Sequence, residues 1–434
     1  MVDRSAVLDV EDRPSPPAWA ALSLQHLFAM FGATVLVPLI TGLSPAVALV
    51  TSGAGTLLYI VITKGKIPAY LGSSFAFIAP ILAASATGDS NLALVGCFFA
   101  GLVYVVISIL IRILGVGWLL RILPPVVVGP VIMVIGLGLA GVAVNMATTG
   151  TGAPNGTYSG TFFGIALFTL AVTVGCAVYL KNFFSMVPVL VGVVAGYIAG
   201  AIFGLVDFTA VADAPFIAVP DFSVPFVTYS PDFNGAIILA FIAAAIVPVA
   251  EHIGDQMVLS KVVGRNFLRK PGLDRSILGD GVATILASLL GGPPNTTYGE
   301  NIGVLAVTRV FSIFVIGGAA VLALCFGFIG KIAALISTIP VAVMGGVAIM
   351  LFGIIAASGL RMMVESRVDL GAKRNLIIAS VILVIGVGGA TIQVSDNLQI
   401  AGMALAAIAG IVLNLVLPGR PEAEENERMF EALD

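Results

Sequence analysis

From end to end the chain repeats one pattern, blocks of roughly twenty apolar or small residues separated by short polar turns, and a helix of that length spans about 30 Å of hydrocarbon. In lipid every backbone N–H and C=O must find its partner inside the protein, so such blocks fold as helices unless they close into a barrel. A barrel strand would alternate polar and apolar positions, and these blocks do not. The pattern predicts fourteen segments: 22–41, 45–63, 68–84, 91–111, 124–144, 160–180, 186–206, 233–256, 276–291, 295–308, 311–330, 339–359, 375–391 and 398–418. The third and the tenth are short and mix glycine with polar residues, which makes them weak as free-standing membrane helices.

Composition agrees, with 59% of the 434 residues hydrophobic and 10% charged. Soluble domains carry about a quarter charged residues, so this chain is expected to find most of its surroundings in lipid. Basic residues gather on the cytoplasmic side of short loops, which tests the count independently. With the N-terminus inside, Lys64, Lys66, Arg112, Arg121, Lys181, the cluster from Lys261 to Arg275, Arg309, Arg361 to Arg374, and the tail residues Arg4, Arg13, Arg420 and Arg428 all fall inside, and Lys331 alone falls outside. The acidic stretch 207–232 falls outside as well. Residues 1–21 contain acidic positions and Ser-Pro-Pro and lack the layout of a cleaved signal peptide, so they are expected as a cytoplasmic tail, with 419–434 as a second one. Cys97, Cys176 and Cys325 stand far apart within apolar spans and are expected as small buried hydrophobes, neither a disulfide framework nor a metal site.

The halves of the chain share a motif. LPPVVVGPVIMVIGLGLAG at 123–141 aligns with IPVAVMGGVAIMLFGIIAA at 339–357, pairing Pro124 with Pro340 and Gly129 with Gly345. Fourteen segments divide into seven and seven, and an odd number per half inverts the second relative to the first, an arrangement used by secondary transporters. The same logic pairs the two irregular segments. Unwound backbone at membrane depth must be satisfied by protein, water or solute, so YLGSSFAFIAP at 70–80 and PNTTYGENIGV at 294–304 mark a candidate site. Ser73, Ser74, Tyr298, Gly299, Glu300 and Asn301 offer hydrogen-bonding groups there, and Phe75 either stacks on a ring or packs.

Ionisable residues at membrane depth are costly and are functional candidates by default. Glu251 lies in the run AIILAFIAAAIVPVAEHIGDQ, with Asp255 one turn on and therefore on the same helical face. Carboxylates that close favour sharing a proton, which suits a proton-coupled carrier. Glu300 sits inside the irregular tenth segment. His252 is expected to pack or hydrogen-bond; His26, in the first segment, is expected to orient Glu251 or a neighbour and joins Glu251, Asp255 and Glu300 as a proton-handling candidate. Asp280 reads equally as a pore-facing or an interface group.

Five stretches, QHLFAMFGATVLVPLITG at 25–42, YLGSSFAFIAP at 70–80, AEHIGDQ at 250–256, PNTTYGENIGVLAVTRV at 294–310 and VMGGVAIMLFGIIAASGLR at 343–361, closely resemble the uracil-permease branch of the nucleobase:cation symporter-2 family, also called nucleobase–ascorbate transporters. The resemblance runs from about residue 20 to 420. It implies an all-α polytopic membrane protein of fourteen transmembrane segments in two inverted seven-helix repeats, with short extended pieces breaking segments 3 and 10. A core would comprise 22–111 and 233–330, and a gate 112–206 and 331–418, through which many members form homodimers. Glu251 and Glu300 would hydrogen-bond a pyrimidine, helped by backbone groups of Phe75 and Gly299. The implied activity is inward symport of uracil with a proton as coupling ion, in the cytoplasmic membrane and without a cofactor. Asp255 departs from the histidine of a bacterial uracil permease and matches purine-carrying relatives, so xanthine or hypoxanthine is the first alternative substrate.

An anion exchanger is the second alternative, against which two acidic residues at the site weigh through the cost of like charge in a poorly solvated cavity. A membrane enzyme would need a nucleophile, base or metal constellation at depth, and beyond the carboxylates none is evident. Basic residues dispersed over loops give no nucleic-acid surface.

Overall fold

A computed structural model describes residues 6–150, 156–181, 183–395, 398–400 and 402–419; Arg4, Arg420 and Arg428 of the predicted tails lie outside the described residues. The chain is an all-α polytopic membrane protein. Besides shorter helices such as Gly117–Ile122 and Gly330–Ser337, its helices include α1 (Pro16–Thr41), α2 (Pro45–Ile62), α3 (Ile78–Ser85), α4 (Asn91–Leu114), α5 (Pro125–Thr149), α6 (Gly160–Tyr179) and α7 (Pro188–Ile202). They continue as α8 (Gly235–Val263), α9 (Leu273–Leu290), α10 (Gly299–Thr308), α11 (Ile313–Gly327), α12 (Val341–Glu365), α13 (Lys373–Val387) and α14 (Gly402–Val416). Among the described residues α1, α2, α4, α5, α6, α8 and α12 are long and apolar enough to cross a membrane. Two short strands, β1 (Leu71–Ser73) and β2 (Asn295–Thr297), interrupt the pattern at the third and tenth predicted segments, and a hairpin, β3 (Ile392–Ser395) with β4 (Leu398–Ile400), links α13 to α14.

The helices pack as two bodies. One contains α1, α2, α4, α8, α9 and α11, with α9 lying between α2 and α4 and α11 against α1 and α2. The other contains α5, α6, α7, α12, α13 and α14, with α12 packed on α5 and α6. The bodies meet where α8 touches α5 and α1 touches α7. In hydrocarbon no hydrophobic force drives helices together, so close backbone approach through small residues supplies the packing. Each body has one such crossing between glycines. A methyl group on Gly281 of α9 would lie 3.0 Å from the Gly101 carbonyl of α4, and one on Gly129 of α5 would lie 3.1 Å from the Gly359 carbonyl of α12. The duplicated motif falls on the second crossing: Pro124 and Pro340 are the N-caps of α5 and α12, the two helices that embrace there.

The N-terminal segment differs from a free tail. α1 begins at Pro16, six residues before the predicted 22, and residues 7–13 strap across the end of the first body. Leu8 bridges Val310 in parallel, Phe311 N–H donates to the Leu8 carbonyl at 2.7 Å, and Ile313 N–H donates to the Val10 carbonyl at 3.0 Å. Val10 is fully buried, Arg13 lies over the Phe314 ring, and Arg265 donates to Glu11 Oε1 at 2.7 Å and to Asp9 Oδ2 at 2.8 Å. The strap escaped prediction because a polar stretch with one buried valine has no period. Cys325 also departs from expectation: Cys97 and Cys176 are buried, whereas Cys325 is exposed on α11.

Two outcomes follow from this packing. Replacing Gly281 by Val forces apart α9 and α4, so thermal unfolding of the purified protein is expected to begin several degrees lower, consistent with the ~1–3 kcal/mol cost of overpacking. The Arg265 guanidinium holds the Glu11 carboxyl below its ordinary value of 4.5. Its contribution, no more than about 1 kcal/mol for a pair this exposed, is complete above that ordinary value and is lost as pH falls through the depressed one. Hydrogen-exchange protection of the Phe311 and Ile313 amides, corrected for intrinsic rates, is therefore expected to hold from pH 8 to about 5 and to weaken below about 4.

Candidate functional site

The site is built on an antiparallel ribbon at the centre of the first body, where Leu71 pairs with Thr297, Gly72 with Thr296 and Ser73 with Asn295. The ribbon's remaining backbone groups are satisfied by hydroxyls from flanking helices. Thr56 Oγ1 on α2 accepts from Leu71 N at 2.9 Å and faces the Leu71 carbonyl at 3.3 Å. Thr284 Oγ1 on α9 does the same for Asn295, with 3.2 Å to its N–H and 2.9 Å to its carbonyl. Ser52 Oγ donates to the Leu71 carbonyl at 2.6 Å, and Ser73 Oγ donates to the Thr34 carbonyl of α1 at 2.9 Å. Threonine at both places gives a compact donor and acceptor that fits beside a strand without filling a pocket.

Where the strands end, α3 and α10 begin, and a cavity of about 370 Å³ opens between the two bodies. Glu251 and Asp255 of α8 face it from one side, and Gly299 and Glu300 from the first turn of α10 face it from the other. The Asp255 carboxylate lies against the Gly299 backbone, 3.4 Å from where a β-carbon would stand. Asp255 Oδ2 and Glu300 Oε1 are buried without a hydrogen-bond partner among the described residues. Three carboxylates thus line one compartment whose cationic side chain, Arg361, stands at its mouth and is engaged by Glu365 at 2.7 Å. Among the described residues no group of side chains could hold a metal ion. Such an arrangement takes up protons or binds a solute that donates hydrogen bonds.

The other predicted residues separate clearly. Phe75 and Tyr298 line the cavity; the Tyr298 hydroxyl, however, is committed to the Ser73 carbonyl at 3.2 Å and ties the ribbon together. Ser74 is fully buried off the cavity wall, its N–H donating to the Pro294 carbonyl at 2.8 Å. His26 is also off the wall, fully buried on α1, with neither ring nitrogen hydrogen-bonded among the described residues. Asp280 and His252 face each other behind the ribbon, 2.9 Å apart at the contact of α9 with α8, and Asp280 is off the cavity wall. Sequence gave no sign of the opposite wall, where Ile132 on α5 and Leu351, Ile354 and Ile355 on α12 present apolar side chains. Nothing distinguishes those residues from lipid-facing ones until the bodies are assembled.

The cavity runs out past Val258 and Val262 to the end of the molecule where Lys261, Arg361 and Glu365 meet. In the other direction Phe75 closes it. The Phe75 ring meets Phe352 of α12 edge to face, with centroids 5.5 Å apart, a contact that crosses from one body to the other. Beyond it a second cavity of about 350 Å³ opens between α3, α8 and α14, lined by Ala79, Pro80, Asn234, Phe241 and Met403 among others. Phe75 lines the first cavity and the next residue, Ala76, lines the second.

Helices in two bodies, a strand pair leading into two of them and an acidic cavity between the bodies define a membrane permease. The chain belongs to the nucleobase:cation symporter-2 family; the model of that family, described as the Permease family, matches residues 17–395. Curated relatives include a uracil permease of Bacillus subtilis (strain 168), 62% identical over 98% of each chain, and a uracil permease of Bacillus caldolyticus, 60% identical over 98% of this chain and 97% of the other. Among solved structures, the transmembrane domain of a cyanobacterium bicarbonate transporter, BicA, superposes with a TM-score of 0.61 at 15% identity, over 93% of this chain and 99% of that one. That likeness shows a shared fold.

If the aromatic pair is the barrier, removing one ring should join the compartments. In a chain whose native cysteines are replaced, Ser358→Cys on the cavity wall is expected to react with an impermeant maleimide from one face of a sealed vesicle. Adding Phe352→Ala should make it react from both faces, and one-sided labelling in the double variant would place the barrier elsewhere.

Proposed function

We propose that the chain carries uracil inward across the cytoplasmic membrane together with a proton. The observation that carries this reading is the convergence of Glu251 and Glu300 on one cavity at the end of the ribbon. A planar ring with adjacent N–H and C=O groups can donate to one carboxylate and accept from a protonated one, with the Phe75 and Gly299 backbones at its edge. Protonation removes a desolvated charge and supplies that donor, so proton and solute favour the same occupied state, which is the thermodynamic content of symport. Glu251, with Asp255 one turn away to tune it, is the coupling group we favour, with Glu300 the other carrier. The names of the curated relatives point to the same substrate.

Fourteen membrane segments in two inverted halves complete the reading, with the pairing of β1 and β2 and the paired caps Pro124 and Pro340 as support. Residues 22–111 and 233–330 form the core and 112–206 and 331–418 the gate, and core moves against gate to change exposure. The cavity mouth at Lys261 and Arg361 lies on the cytoplasmic side under the basic-residue rule, so this conformation faces inward, with both termini cytoplasmic. Apolar side chains exposed on the gate, such as Phe168, Val194, Ile198 and Val384, meet lipid or a second copy in a homodimer. Asp255, whose Oδ2 is buried without a partner beside Gly299, favours one second reading, a purine such as xanthine or hypoxanthine.

Uptake of labelled uracil into proteoliposomes tests both. Accumulation is expected only with an inward proton gradient, and excess xanthine is expected to compete poorly. Glu251→Gln and Glu300→Gln should each lower uptake about tenfold or more, the value of one hydrogen bond to a charged group. Uracil-driven proton entry at the wild-type rate in Glu251→Gln would remove Glu251 as the coupling group.

A further inference from the structure

We infer that His252 and Asp280 form a positioning dyad that fixes the separation of Glu251 and Glu300, an inference that rests on the reading of those two carboxylates as substrate-binding groups. Neither member lines the cavity. His252 follows Glu251 directly on α8 but turns to the opposite side, where it is 2% exposed. Its Nδ1 lies 2.9 Å from Asp280 Oδ2 and 3.0 Å from Thr297 Oγ1, and its Nε2 lies 2.9 Å from Ser276 Oγ. The Ser276 hydroxyl, also 3.1 Å from the Leu273 carbonyl, can donate to Nε2 or accept from it, so Nε2 has a partner in either tautomer. Both ring nitrogens are thereby held, and the imidazole has one orientation.

Asp280 Oδ2 accepts in turn from the Thr297 backbone N–H at 3.3 Å. Thr297 ends β2, and Glu300 follows it by three residues in the first turn of α10. An unbroken chain of covalent and hydrogen bonds thus runs from Glu251 through His252, Asp280 and Thr297 to Glu300. The ribbon's pairing with β1 fixes β2 from one edge and Thr284 and Asp280 fix it from α9, while His252, through Asp280 and directly through Thr297 Oγ1, refers it to α8, where Glu251 stands. A buried carboxylate and imidazole at this depth are tolerable only as partners, so the pair is held together by the cost of separating it. A solute gripped from two helices is sensitive to their spacing, since displacement of about 1 Å at a binding group can cost about a hundredfold.

The test compares His252→Leu, His252→Asn and Asp280→Asn with wild type by equilibrium uracil binding, by uptake against pH, and by hydrogen exchange of the 294–300 segment in the absence of solute. In His252→Leu uracil affinity is expected to fall about 10- to 100-fold, exchange in 294–300 to rise, and the shape of the pH profile to stay as it is. His252→Asn, whose amide reaches the place of Nδ1 and its two partners, should recover affinity to within about fivefold. Should His252→Leu fail to fold, Asp280→Asn carries the test, since it keeps the acceptor for Thr297 N–H and removes the charge; weakened binding with a loosened 294–300 segment is expected. Wild-type affinity and exchange in a folded variant would overturn the inference, and so would a displaced pH profile, which would make the pair a proton relay. Absence of uracil binding by the wild type would instead count against the substrate, while the exchange comparison would still decide the dyad.

Discussion

The rest of the structure depends on a small obligation of the backbone: peptide groups at membrane depth must be hydrogen-bonded within the protein. Two stretches between helices, at 71–73 and 295–297, run extended, and β1 and β2 meet that obligation by pairing with each other. What the ribbon leaves unsatisfied falls to Thr56 and Thr284, one from each half of the chain, in matching geometry. Because the strands end at depth, the helices that continue them start there too, and their first turns carry free N–H groups toward the cavity. Phe75, Gly299 and Glu300 stand at those starts. The location of the acidic compartment is thus set by where the two strands hand over to helices.

Much of this was legible in the chain. Hydrophobic blocks located the long helices because lipid imposes one length and one kind of residue on all of them. Gly72, Ser73, Gly299 and Glu300 marked the breaks because glycine and charge are expensive in a continuous membrane helix. Partners across helices were not legible. Asp280 announced itself as an intramembrane carboxylate, yet its partner His252 lies on another helix and no local spacing connects them. The apolar far wall on α5 and α12 carries no signature at all, since leucine facing a solute and leucine facing a lipid tail look identical in sequence.

The likeness in fold to a bicarbonate transporter separates scaffold from chemistry. Two bodies with an intervening cavity are a general device for moving a solute past a barrier, and a fold says little about which solute. In this chain the cavity is lined by Glu251, Asp255 and Glu300. An inorganic anion would meet uncompensated like charge there, whereas a neutral ring rich in N–H donors meets acceptors.

The two walls of the compartment differ in kind, and the difference bears on how the halves slide. The hydrogen bonds described for the ribbon come from α1, α2, α8, α9, the α10 cap residue Tyr298 or the strands themselves. Across the gap stand Ile132, Leu351, Ile354 and the ring of Phe352. A greasy face against a polar one behaves as a dry bearing: displacement trades one set of dispersion contacts for another, each weak and without preferred direction. Under the proposed movement of core against gate, the polar half would travel with its internal bonds intact, meeting friction only from side-chain texture.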